Sequence, residues 1–240
     1  MKQYLNKLYL PAFLGASIEY YDIALYGYLA PVLTKVFFPH LPKLTAYFFY
    51  FFFEFIAHLF QILGARYFGT IGDSKGRKQA LYKSMIGTSA VTFVIGFLPT
   101  YENIGIIATI LFCSSRLLQS FFLGGEYNGG AIYCLEQEKT PQNQGLISGI
   151  YSAFTVIGIV LASIVATTIN YFGPEYFRLA YMVSFIFVIF IWHIRKHLKE
   201  TLVGCTNRLE ETPSIASSRR LALLIITSSL FFGVIYGLPT

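Results

Sequence analysis

The sequence has little charge. Asp, Glu, Lys and Arg make up 12% of its 240 residues, against about 25% in a typical soluble domain. So few charges cannot cover the surface of a soluble domain of this size, and lipid is the expected solvent. Tryptophan is nearly missing, with one Trp against 24 Phe and 18 Tyr. That bias is read as compositional, so the Phe-rich run from Tyr47 to Phe55 is not taken as a ligand box. The three cysteines, Cys113, Cys134 and Cys205, share no metal or disulfide spacing and are expected to be free thiols. His193 and His197 are four residues apart but lack further ligands, so neither a metal nor any other cofactor is expected. No Ser-His-Asp order, phosphate-binding loop or dinucleotide fingerprint is present, which argues against an enzyme. No long polar tract separates soluble domains. No cleavable leader is expected either, because the first apolar run continues past Tyr26 and carries Glu19 and Asp22.

What the chain does have is apolar length. Mean hydropathy is +0.58 and 55% of residues are hydrophobic. A membrane span needs about 20 mainly apolar residues. Candidates lie at 10–33, 46–65, 80–98, 104–135, 146–170, 177–194 and 221–238. Backbone groups in lipid must pair internally, so the expected fold is an all-α, polytopic membrane bundle. The expected organisation is a six-helix unit at 1–194, a loop at 195–220 and a seventh span within 221–240.

The net charge of +6 could suggest nucleic acid, but the basic residues lie between the apolar spans. Lys2 and Lys7 precede the first span. Arg66, Lys75, Arg77, Lys78 and Lys83 follow the second, Lys139 the fourth, and Arg195, Lys196, Lys199, Arg208, Arg219 and Arg220 the sixth. The opposite side holds Lys35, Lys43 and Arg178. The asymmetry places the N-terminus in the cytoplasm. Cysteine replacements at Ser74 and Thr45, in a Cys-free background, test this with a membrane-impermeant thiol reagent. Position 45 should label from outside and position 74 should not; the reverse pattern contradicts the topology.

The stretch from Phe68 to Lys78 organises the rest. Gly69, Gly72 and Gly76 lie close together and imply a tight loop. A weak repeat relates two other stretches. Gly15-Ala-Ser-Ile-Glu19-Tyr20-Tyr21-Asp22 opens the first set of three spans, and Leu123-Gly124-Gly125-Glu126-Tyr127 lies in the span that opens the second. Three-plus-three inverted repeats are how many transporters are built.

At helical spacing Glu19, Asp22 and Tyr26 share one face, and Arg116, Gln119, Glu126 and Tyr127 share another. A charged group at membrane depth costs about 2.5–3.5 kcal/mol, so these faces should turn inward. One reading is a polar cavity in which the carboxylates bind or relay a proton and Arg116 holds an anionic solute group or sets a carboxylate's pKa. The other is a buried ion pair that orders the bundle. Glu54 and His58, also four apart, fit a proton relay, a local pair or a face turned to another subunit. Gly145, Gly149 and Ala153 form a small-residue stripe, expected to pack closely within the chain.

Several of these segments resemble the metabolite:proton symporter family of the major facilitator superfamily. The matching stretches are Ile18-Glu-Tyr-Tyr-Asp22, Leu25-Tyr26-Gly27, Phe37-Phe-Pro39, Gly69 to Lys78, Leu98-Pro-Thr-Tyr101, Arg116-Leu-Leu-Gln119, Gly124-Gly-Glu-Tyr127, Glu136 and Lys199-Glu-Thr201. The resemblance implies the N-terminal half of a twelve-span fold in a bacterial inner membrane. It implies proton-coupled transport of a small organic acid or a zwitterionic osmolyte such as proline or betaine. Its site would draw on Glu19, Tyr20, Asp22, Tyr26, Arg116, Gln119, Glu126 and Tyr127. Asp73, with Gly69, Gly76, Arg77 and Lys78, would gate the cytoplasmic side against a helix of the second half. The sequence departs from the family at Gln61-Ile62, Ser74, Ser120 and Gln144. It also ends near the seventh span, so the expected partners are the bilayer, a solute, a proton and a separately encoded second half. The alternative is a truncated membrane remnant that does not transport, or an interaction partner that needs a separate second half.

Overall fold

The structure is a computed structural model that describes residues 9–138 and 140–195. The seventh span, and the loop before it apart from Arg195, lie outside the described residues. Every long element is a helix: α1 (Leu10–Tyr28), α2 (Ala30–Phe37), α3 (Lys43–Lys75), α4 (Arg77–Phe97), α5 (Tyr101–Ile104), α6 (Ile106–Gln137), α7 (Pro141–Phe172) and α8 (Phe177–Arg195). A 3-10 turn, Pro174–Tyr176, leads into α8. Among the described residues there is no strand. Among the described residues four helices, α3, α4, α6 and α7, are long and apolar enough to cross a membrane. The 19-residue α1 and α8 pack among them.

The first apolar run is two helices rather than one. Pro31 lacks an N–H and cannot continue the hydrogen-bond ladder, so the helix breaks at Leu29. The chain stays wound across the break: Leu29 N–H donates to Leu25 O at 2.9 Å and Leu33 N–H to Leu29 O at 2.8 Å.

The tight loop expected around Gly69, Gly72 and Gly76 shrinks to one residue. Gly69 and Gly72 are helical, and α3 runs on to Lys75. Gly in a helix costs about 1 kcal/mol against Ala, which a 33-residue helix absorbs. Only Gly76 breaks the helix, at φ +102°, a left-handed backbone that excludes ordinary side chains. The chain therefore turns from α3 to α4 through a single residue.

The most extensive helix contacts are α3 on α6 and α1 on α7. In span numbers these are 2 on 4 and 1 on 5. A two-fold axis relating spans 1–3 to spans 4–6 exchanges the two pairs, the relation expected of an inverted repeat. Glycines set the separation in both. A Cβ at Gly64 would collide with the carbonyl oxygen of Phe121, and one at Gly124 with that of Gln61. A Cβ at Gly158 would collide with the carbonyl oxygen of Ser17. Ser17 Oγ also donates to Phe154 O at 2.7 Å, tying α1 to α7.

The small-residue stripe does not pack within the described residues. Gly145 and Gly149 have open space where a Cβ would point, and Ala153 is exposed. Gly158, one turn beyond the stripe, makes the close approach instead. Spacing identified small residues but not the azimuth at which α7 meets α1.

Candidate functional site

Charged and polar residues of α1 and α6 gather in the interior. Glu19 and Asp22 on α1, and Arg116, Gln119 and Glu126 on α6, are all buried. Glu19, Asp22 and Glu126 line a narrow cleft, walled further by Gly15, Met85 and Thr88. Three carboxylates from two helices thus meet at one place. Tyr26 is buried on the same face of α1. Tyr20 is half-buried, and the side chain of Tyr127 is outside the described residues.

Arg116 does not pair with these carboxylates. Its partner is Glu54, reached from α3. Nε donates to Glu54 Oε2 at 2.9 Å and Nη2 to Oε1 at 2.8 Å. Two parallel charge-assisted bonds are the strongest geometry open to this pair. Nη1 donates to Gln119 Oε1 at 2.7 Å. The guanidinium lies 4.2 Å from the centre of the Tyr26 ring, a cation–π contact. The anion-binding edge that one sequence reading offered to a solute is held here by Glu54.

From Gln119 the network continues to the cleft. Gln119 Nε2 donates to Thr92 Oγ1 at 2.8 Å, and Thr92 Oγ1 donates to Asp22 Oδ2 at 3.4 Å. Ser184 Oγ donates to the other oxygen, Asp22 Oδ1, at 2.5 Å. One path thus joins Glu54, Arg116, Gln119, Thr92, Asp22 and Ser184 across α3, α6, α4, α1 and α8. A change of charge at Asp22 would be felt at Arg116 through two intervening side chains. The sequence reading missed Glu54 as the counter-charge, and missed Thr92 and Ser184 entirely. Glu54 was recognised only as a neighbour of His58. In the structure the His58 side chain is 53% exposed, and its Nδ1 sits 2.8 Å from the Glu54 backbone oxygen.

An aromatic column packs at the C-terminal end of α1. Tyr26 and Tyr50 stack with centroids 4.2 Å apart and exchange bonds to each other's backbone. Tyr50 OH donates to Tyr26 O at 2.7 Å and Tyr26 OH to Tyr50 O at 3.3 Å. Phe112 and Phe37 continue the stack.

A second charged cluster surrounds the α3–α4 turn. Arg77 Nη2 lies 2.7 Å from Asp73 Oδ1 and Arg77 Nε 3.1 Å from Glu136 Oε1. The guanidinium passes over Gly72, where a Cβ would meet Nη1 at 2.8 Å. Arg77 thereby joins the ends of α3 and α6. Lys78 follows Arg77 in the first turn of α4, and Gly69 lies one turn before Asp73 in α3. Among the described residues, no group of His, Cys, Asp and Glu could hold a metal.

Residues 8–225 match the family model described as Sugar (and other) transporter. The chain belongs to that family of the major facilitator superfamily. Two bacterial relatives give the same placement for this transporter-family chain. It is 31% identical over 203 residues to a proline/betaine transporter of Salmonella typhimurium, covering 82% of this chain and 40% of the relative. It is 31% identical over 210 residues to a glycine betaine/proline/ectoine/pipecolic acid transporter of Dickeya dadantii, with the same coverages. The family chain thus spans about two fifths of the length of the curated relatives it matches. Its fold is that of the xylose transporter of E. coli in a partially occluded, inward-open form, at a TM-score of 0.72 and 17% identity over 83% of this chain and 49% of that one.

Proposed function

We propose that the chain forms the N-terminal half of a proton-coupled symporter for a small organic acid or a zwitterionic osmolyte of the proline or betaine kind. Residues 1–194 form six spans of that half, with its N-terminus cytoplasmic in a bacterial inner membrane. Residues 195–220 form the cytoplasmic loop, and a seventh span follows within 221–240. The observation that carries the reading is the buried path from the cleft at Asp22 to the Arg116–Glu54 pair. Intramembrane ionisable groups are expensive and mark solute or ion pathways by default. Relatives named for proline and betaine support the solute class. The chemistry is binding and movement, with no bond made or broken in the solute.

The remaining cavity wall comes from a second six-helix half. Membrane vesicles carrying this chain, alone and with the second half of a proline/betaine transporter, test the reading. Acid-outside vesicles containing both should accumulate labelled proline or betaine. No accumulation in any combination, with both polypeptides inserted, removes it.

Asp22→Asn separates proton coupling from solute passage. The amide oxygen can still accept from Ser184 and its NH2 can donate to Thr92 Oγ1, reversing that bond, but the amide cannot take a proton. Accumulation driven by a pH gradient should fall at least about tenfold, the scale of one charge-assisted contact. Exchange of labelled for unlabelled solute should continue. A variant that still concentrates solute with the gradient would move the proton site to Glu19 or Glu126.

A further inference from the structure

Among the described residues Arg116 is the buried cation, and a solute carboxylate would need its forked edge. Glu54 holds that edge with both oxygens. Gln119 takes a third N–H and the Tyr26 ring covers one face. The Arg116 side chain is only 3% exposed, whereas that of Glu54 is 15% exposed. Glu54 is thus the open side of the pair, and Arg116 is reached through the place its carboxylate occupies. Backbone contact at Gly64 and Gly124 keeps the two helices that carry the pair close together. An incoming anion must displace the Glu54 carboxylate from both of its bonds. It would also strand Glu54 beside it, a like charge in a poorly hydrated place.

We propose that Glu54 is a charge-selectivity residue: by filling the carboxylate fork of Arg116 it denies that fork to the solute and turns away solutes of net negative charge. The proposal rests on the cleft and its network being the solute path. It narrows the solute class to zwitterions and neutral or cationic molecules. A purely structural ion pair would stabilise the bundle and leave solute charge unread, so the two roles differ in what removal of Glu54 produces.

The test uses the full chain in lipid nanodiscs with labelled succinate as the anionic probe. Glu54→Ala leaves a carboxylate-sized gap against Arg116. It should retain roughly tenfold more succinate than the wild type, the worth of one bidentate pair. Glu54→Ala combined with Arg116→Gln should lose the gain. Formate should raise the melting temperature of Glu54→Ala by occupying the gap, and should leave the wild type unchanged. Where Glu54→Ala does not fold, Glu54→Gln carries the succinate measurement. A folded variant that binds no more succinate than the wild type overturns the proposal. So does a wild type that binds succinate as well as the variant. Binding needs no gradient, so the outcomes separate. Succinate gained without proton-driven uptake removes transport and keeps the selectivity; proline or betaine uptake without succinate gain does the opposite.

Discussion

Arg116→Ala should be among the most damaging single substitutions in the bundle. It leaves the Glu54 carboxylate without its counter-charge, frees the Gln119 oxygen and opens a void beside the Tyr26 ring. Breaking a buried ion pair by removing one partner costs about 3–5 kcal/mol. A loss of that size should lower the melting temperature of the purified chain by many degrees and abolish uptake with a second half present. Replacing both partners by apolar residues, Arg116→Met with Glu54→Leu, should recover most of the stability, because no charge is stranded. It should not recover uptake, because the path to Asp22 would end at Gln119. His58→Ala is the control; its ring is largely exposed, and the melt should shift little. If Arg116→Ala melts with the wild type, the pair does not hold the interior together.

Gly124→Val should disrupt the α3–α6 interface. The new side chain would start inside the carbonyl oxygen of Gln61 and close to the backbone nitrogen of Ala65. Backbone cannot rotate away as a side chain can, so relief requires the helices to separate. Overpacking costs about 1–3 kcal/mol where side chains can yield, and more is expected here. The Glu54–Arg116 pair spans the same two helices, so separation also breaks its two bonds. Gly149→Val should stay within about 0.5 kcal/mol of wild type, because nothing lies near its Cβ position. Detergent-solubilised variants compared by size-exclusion elution after heating give the readout. Equal thermal stability of the two would mean that α3 and α6 are not in backbone contact.

Much of the bundle was legible because a period of 3.6 and a length near 20 leave little choice in lipid. The candidate spans at 80–98 and 177–194 lie within three residues of the helices observed, α4 and α8. The sharing of a face by Glu19 and Asp22 follows from spacing alone. What spacing cannot give is which residue on another helix a face will meet. Arg116 needed a counter-charge, and the nearest sequence candidates were on α1. The structure supplies Glu54 instead, from within the aromatic stretch of α3. There one acidic residue among Phe side chains looked like a local partner of His58. The ends of α3 were misjudged for a related reason. Gly69 and Gly72 suggest a loop in isolation, but the cost of keeping them helical is small beside that of opening backbone groups near the bilayer. Thr92 and Ser184 gave no signal, since a hydroxyl in a helix usually bonds its own backbone.

The two breaks in the helical ladder differ in where their loose ends go. At Leu29 the missing donor is a proline that never had one, and Tyr50 supplies a hydroxyl to the carbonyl of Tyr26. That joint keeps its wound backbone and a bond across to α3, so it can hold a fixed bend within the bundle. At Gly76 the single turn residue retains a bond from its N–H to Gly72 O, and no side chain caps the start of α4. At about 1.5 Å per residue, α3 is longer than the roughly 30 Å hydrocarbon layer. The turn at its end therefore reaches the headgroups, where water solvates the open amides. That joint is wet, and the Arg77 side chain, through Asp73 and Glu136, holds it where no capping side chain does. Amides at the start of α4 should exchange hydrogen for deuterium quickly, while those around Leu29 stay protected.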